Sequence, residues 1–235
     1  MALLLGTASL AQAQGGAAPA APKPAPGAAA KKPGATSSTA DMNKASYSIG
    51  LQFGTQMKRA HLDSKNISLA EIQRGIREGL AGKEFGREDM EAIQSYVTGI
   101  QEKVADENHA KATKFLAENA KKPGVQTTSS GLQYKVLQPG SGTPPKRTDT
   151  VSVNYTGRLL DGTEFDGTDK HGGQPASFPL NGVIPCWTEG LQQMEVGGKA
   201  KLYCPPNTAY GDAQAGPIPP GSLLVFDVEL LEVND

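Results

Sequence analysis

The chain has 235 residues, a net charge of −1 and 20% charged residues. Its length allows one or two domains, and its near-neutral balance gives no basic footprint for nucleic acid. No unbroken apolar run approaches the roughly 18 residues that a membrane-spanning helix needs.

Ala2 to Leu10 is short and apolar, and Ala11-Gln12-Ala13 has the small-x-small form of an export cleavage site. Residues 1–13 are therefore expected to be a signal peptide, incomplete because a positively charged start is missing. Residues 14–40 are Ala, Pro, Gly and Lys with almost nothing large. Such a segment cannot bury enough apolar surface to offset ordering entropy, and it reads as a disordered linker.

Residues 41–122 carry helical periodicity. A first helix is expected from about Met42 to Ala60, with Ile49, Phe53, Met57 and Ala60 on one face and Tyr47, Leu51 and Gly54 beside it. A second begins at the capping box Ser68-Leu69-Ala70-Glu71, runs its apolar stripe through Leu69, Ile72, Ile76 and Leu80, and stops at Gly82. A third starts near Arg87 and runs to Lys121, before Pro123-Gly124. Met90, Ile93, Val97, Ile100 and Val104 form a heptad-like seam in its first half. From Asp106 to Lys114 the pattern is polar on nearly all sides, as in a solvated bridge between domains. Three such helices make a poor core alone, so a symmetric dimer that shares their apolar arcs is expected.

Residues 123–235 change period. Leu132, Tyr134 and Val136 alternate with polar residues, as do Val151, Val153 and Tyr155. Asp161-Gly162 is a hairpin signal. Lys170 to Gln174 reads as a mobile loop, and Trp187 to Met194 suits a short helix. Ala200, Leu202 and Cys204 oppose Lys199, Lys201 and Tyr203, and Leu223 to Leu231 is the last and most apolar strand. An α+β class follows, with strands around one short helix.

Aromatic side chains fall thickly between Tyr155 and Phe226. Converging on one cavity, they would line a greasy pocket with a few polar tips; otherwise they are core. No G-x-S-x-G elbow, P-loop, dinucleotide fingerprint or H-E-x-x-H motif is present, and His61, His109 and His171 are scattered, so no metal or other cofactor is expected. Cys186 and Cys204 are the only cysteines. They are either two buried thiols or, in an exported protein, a disulfide.

Tyr155-Thr156-Gly157, Gly162-Thr163-Glu164-Phe165-Asp166, Val183-Ile184-Pro185-Cys186-Trp187, Ala209-Tyr210-Gly211 and Leu224 to Leu230 follow one another in register. In this order they resemble the FKBP-type peptidyl-prolyl cis–trans isomerases. With the helices before them, the chain from Asp41 to Val233 is similar to the bacterial Mip and FkpA-like subfamily. The resemblance implies an N-terminal all-α dimerisation domain over 41–122 with a long connecting helix. It implies a V-shaped dimer. Over 123–235 it implies an FKBP-like twisted antiparallel β-sheet wrapped on a short helix.

For the site, the resemblance implies catalytic roles for Tyr155, Phe165, Asp166, Trp187, Tyr210 and Phe226. Trp187 would be the floor under the proline ring. Tyr155, Phe165, Val183, Ile184 and Phe226 would be the walls, while the Ile184 N–H and Tyr210 hydroxyl hold the peptide. Val183, Ile184 and Ile218 would bind substrate, with Ile218 at the pocket edge. Asp166 would polarise its neighbours, bind the twisted amide, or be a satisfied structural acid. In the family fold the places of Cys186 and Cys204 lie close together, which implies a disulfide where many relatives have Gly and an aliphatic residue. Ala176 stands where many relatives have an aromatic, and Phe178 reads as core. The short loop Asp212 to Pro217 lacks a bulky ring, which bears on macrolide inhibitors.

The expected activity is X–Pro isomerisation in the folding of exported proteins, with chaperone action on unfolded, proline-containing clients. The expected location is the periplasm or outer envelope of a Gram-negative bacterium. A chaperone or interaction protein with a vestigial pocket is the alternative; a host-directed virulence role is not decided by sequence.

Overall fold

The computed structural model describes residues 38–234. The expected signal peptide and nearly all of the linker lie outside the described residues. Contacts divide the described residues into two compact units, 38–63 and 64–234.

In the first unit, helix α1 spans Thr39–Arg59. Ser38 caps it: its hydroxyl accepts from the Asp41 N–H, and Asp41 accepts from the Ser38 N–H. This reciprocal box starts the helix before the expected Met42. None of its side chains is buried.

The second unit opens with α2, Leu69–Leu80, and α3, Arg87–Asn119. Only half of the expected capping box forms on α2. The Ser68 hydroxyl accepts from the Glu71 N–H, but the Glu71 carboxylate takes the Arg74 guanidinium. A charged partner outcompetes the cap amide there.

Seven strands follow: β1 Gln126–Thr127, β2 Gln133–Gln138, β3 Thr150–Leu159, β4 Glu164–Gly167, β5 Ala176–Pro179, β6 Lys199–Cys204 and β7 Leu224–Asn234. They form one antiparallel sheet of order β1-β2-β6-β7-β3-β4, with β5 also on β3. Helix α4, Pro185–Leu191, begins with proline at its first turn, where a missing N–H costs nothing. It is shorter than the expected Trp187 to Met194 stretch and starts two residues earlier.

Strict alternation builds the core. Val151, Val153 and Tyr155 of β3 and Leu224, Phe226, Val228 and Leu230 of β7 are buried on the inner face. They pack with Leu191 of α4 and Leu202 of β6. Cys186 of α4 and Cys204 of β6 are joined by a disulfide.

The polar half of α3 departs from its expected role as a solvated bridge. Ala105, Ala112 and Asn119 are buried. Asn119 Nδ2 donates to Gln133 Oε1 at 2.9 Å, and Gln133 Nε2 donates to the Leu116 carbonyl at 2.9 Å. The Phe115 ring lies 5.6 Å from that of Tyr203. Small and amide side chains recur on one face, and they dock that face of a helix whose hydrophobic pattern is weak.

Candidate functional site

Four elements deliver the site. Strand β3 brings Tyr155, β4 brings Phe165 and Asp166, α4 brings Trp187, and β7 brings Phe226. Antiparallel register sets Gly157 opposite Phe226 on one side and opposite Asp166 on the other.

The rings meet edge to face around the Trp187 indole. Its centroid lies 5.1 Å from Tyr155 at 88° and 5.3 Å from Phe226 at 83°. Phe165 meets Phe226 at 5.6 Å and 90°. Phe178 completes the ring, 5.6 Å from Trp187 and 6.1 Å from Tyr155. Positive ring edges on negative faces favour this arrangement, at about 0.5–1.5 kcal/mol per pair beyond burial. Phe178 is part of the cluster as well as part of the core. Its contacts depend on β5 pairing Phe178 with Val151, which spacing within β5 does not reveal.

Gly157 is the second residue that residue type alone underrates. A Cβ there would stand 2.6 Å from Phe165 Cζ and 2.8 Å from Phe226 Cε1. The close approach of those two rings over β3 therefore requires glycine.

Val183 and Ile184, just before α4, are half-buried against the core. The Ile184 carbonyl accepts from the Trp187 and Thr188 N–H groups and so starts the helix. Tyr210 is 44% exposed, and Ile218 is buried. The Trp187 indole nitrogen is buried with no hydrogen-bond partner among the described residues.

Asp166 is the site's carboxylate. Oδ2 accepts from the Tyr155 hydroxyl at 2.7 Å, and Oδ1 accepts from the Gly167 N–H at 2.9 Å and lies 2.8 Å from His171 Nε2. Burial alone would raise its pKa, but these hydrogen bonds outweigh burial and hold it below the usual aspartate value. The Tyr155 phenol is pushed well above its ordinary value by burial first, then by Asp166 and Tyr210. It is therefore a neutral donor under physiological conditions. The loop from Lys170 to Gln174, expected to be mobile, is tethered at its start: Lys170 Nζ donates to the Glu164 carbonyl at 2.7 Å, and His171 meets Asp166.

Two recesses, of about 360 and 400 Å³, lie elsewhere. The first is lined by Val136, Pro139 and Met194; the second includes Tyr155 and Thr168 but no other ring of the cluster. At the ring cluster Phe165 and Ile184 are half-buried against the core, and the exposed Tyr210 is near enough to act on the Tyr155 phenol. Among the described residues, no three His, Cys, Asp or Glu side chains gather to hold a metal ion.

Comparison with known proteins adds two family models. Residues 141–231 match the FKBP-type peptidyl-prolyl cis-trans isomerase model, and residues 42–136 match the domain amino terminal to it. The chain is 45% identical over 202 residues to the FKBP-type peptidyl-prolyl cis-trans isomerase FkpA of Aeromonas hydrophila, covering 80% of this chain and 75% of the relative. It is 39% identical over 212 residues to the outer membrane protein MIP of Legionella longbeachae, covering 85% and 89%. The crystal structure of FkpA from Escherichia coli is similar with a TM-score of 0.62 and 39% identity, over 83% of this chain and 97% of that one.

Proposed function

The chain belongs to the FKBP-type peptidyl-prolyl cis–trans isomerases, and from that membership we propose that the cluster around Trp187 seats the proline of an X–Pro peptide. The edge-to-face convergence of Tyr155, Phe165, Trp187 and Phe226 carries this reading.

Isomerisation makes and breaks no bond. Its barrier, about 18–20 kcal/mol, is the loss of amide resonance on twisting. A planar amide is the more charge-separated form. Walls that are apolar and dry therefore disfavour the ground state more than the twisted state. Trp187 is the floor beneath the proline ring, and the edges of Tyr155, Phe165 and Phe226 face the substrate carbonyl. Val183 and Ile218 border the peptide. The Ile184 N–H and the Tyr210 hydroxyl hold its backbone. Asp166 already accepts from three donors, which favours a role in orienting and polarising Tyr155 over direct contact with the amide.

Turnover of an X–Pro peptide tests this reading. The parent chain is expected to be active, with kcat/KM falling at least tenfold in Trp187→Leu. Unchanged turnover in that variant, or an inactive parent, would favour a binding protein with a vestigial pocket. A tacrolimus-like macrolide is expected to compete for the same rings.

A homodimer through the N-terminal helices is part of the same reading. Tyr47, Ile49, Leu51 and Phe53 of α1 are 51–72% exposed, and Leu80 of α2 is 86% exposed. Apolar surface on this scale marks an interaction site, and a second copy of the chain offers the matching face. A stable monomer in light scattering at low micromolar concentration would rule it out. Chaperone action on unfolded clients in the Gram-negative envelope fits a relative named as an outer membrane protein. No helix among the described residues is long and apolar enough to cross a membrane.

A further inference from the structure

Tyr210 and Ile218 sit in one segment, residues 210–221, that has little regular structure of its own. Ala215 and Ile218 exchange backbone hydrogen bonds at 3.1 and 3.0 Å, and the Gly221 N–H donates to the Gly211 carbonyl at 2.9 Å. These bonds close the segment into a loop but do not orient it against the rings.

Three contacts tie the loop to α3. Near its start, Asp212 Oδ1 lies 2.5 Å from His109 Nε2. Near its end, Asn108 Nδ2 donates to the Pro220 carbonyl at 2.8 Å. At Gly221 the two backbones touch: a Cβ there would stand 2.6 Å from the Ala105 carbonyl oxygen. Ala105 is buried although Asp106 and Glu107 beside it are exposed. Positions 105, 108, 109 and 112 share one helical face. The stretch whose pattern is polar all round therefore presents a docking face, and the docked object is the loop that carries two peptide-holding residues.

We propose that Ala105, Asn108 and His109 of α3 form a positioning brace for the 210–221 loop, setting Tyr210 and Ile218 against the bound peptide. The proposal rests on the reading of the ring cluster as the proline site. His109 and Asp212 are 45% and 70% exposed, so that pair alone shifts binding only a few-fold. The Asn108 bond is part-buried and unites with it in holding both ends of the loop. None of the three residues touches the reacting amide, so the brace acts on affinity rather than on the twisting step.

Full-length Asn108→Ala, His109→Ala and the double variant test it. The chain's single tryptophan is Trp187, so its fluorescence reads peptide binding directly. The double variant is expected to raise KM and the fluorescence Kd for an X–Pro tetrapeptide about tenfold, with kcat within about twofold. Exchange of the combined His109→Asp and Asp212→His is expected to recover affinity lost in His109→Asp alone. Amide hydrogen exchange at residues 210–218 is expected to quicken about tenfold in the double variant, a readout independent of turnover. An inactive parent would sink the proline-site reading while leaving the exchange test of the brace intact. Exchange and KM both within about twofold of the parent would overturn the brace, as would a loss of kcat and thermal stability with KM unchanged.

Discussion

The Tyr155 hydroxyl donates to Asp166 Oδ2 across 2.7 Å, joining the middle of β3 to β4. It is a polar link at a wall of rings, and it fixes the Tyr155 ring that stands at 88° to the Trp187 indole. The phenol stays neutral and the carboxylate stays charged, because burial raises the first while three donors lower the second.

Tyr155→Phe keeps the ring and removes the donor. Asp166 retains Gly167 and His171, so the fold is expected to survive at a cost of about 1 kcal/mol. Released from Asp166, the ring turns more freely, and kcat/KM for an X–Pro peptide is expected to fall about fivefold. Urea unfolding and peptide turnover measure the two effects separately.

The same pair sets a pH dependence. The folded Asp166 titrates below the ordinary aspartate value, so its contribution to stability is fully present above about pH 5. That contribution is lost as pH falls through the lower folded value. The stability difference between the parent and Asp166→Asn is therefore expected to be present in full at about pH 5 and to shrink below about pH 4. A difference that stays unchanged from about pH 5 down to about pH 2.5 would contradict the hydrogen-bond assignment.

Gly157→Ala places a methyl group where Phe165 and Phe226 now approach the strand. Both rings must move, and overpacking of this kind costs about 1–3 kcal/mol. Activity is expected to fall at least tenfold, because the displaced rings are two walls of the site. A variant with parental turnover would show that the wall geometry is not needed.

The Cys186–Cys204 disulfide spans 18 residues and ties the helix carrying Trp187 to β6. Loop-closure entropy for that span gives about 3 kcal/mol. The Cys186→Ser, Cys204→Ser double variant is expected to unfold about that much more easily. Thiol titration of the denatured, unreduced parent is expected to find no free thiol, and two after reduction.

Sequence reading reached the elements that announce themselves locally. Ser68 marks a helix start, Gly82 marks a stop, and the period-two burial of β3 and β7 lies where the alternation of Val151, Val153 and Tyr155 and the apolar run through Phe226 put it. The α+β class came through periodicity, and the family through short motifs in register. Phe178 was harder, because its ring reaches Trp187 only through the pairing of β5 with β3. The α3 face at Ala105, Asn108 and Ala112 was hidden by composition, since small and amide residues do not register in a hydrophobic period.

Residue order alone determined the type and extent of most elements and the chemical class of the cavity walls, because periodicity and capping act over a few neighbouring residues. Only the tertiary structure decided which rings touch, which oxygen of Asp166 each donor takes, and what the polar half of α3 leans on. Those depend on strand register and helix docking between segments far apart in the chain, where a shift of one residue reverses which face a side chain occupies.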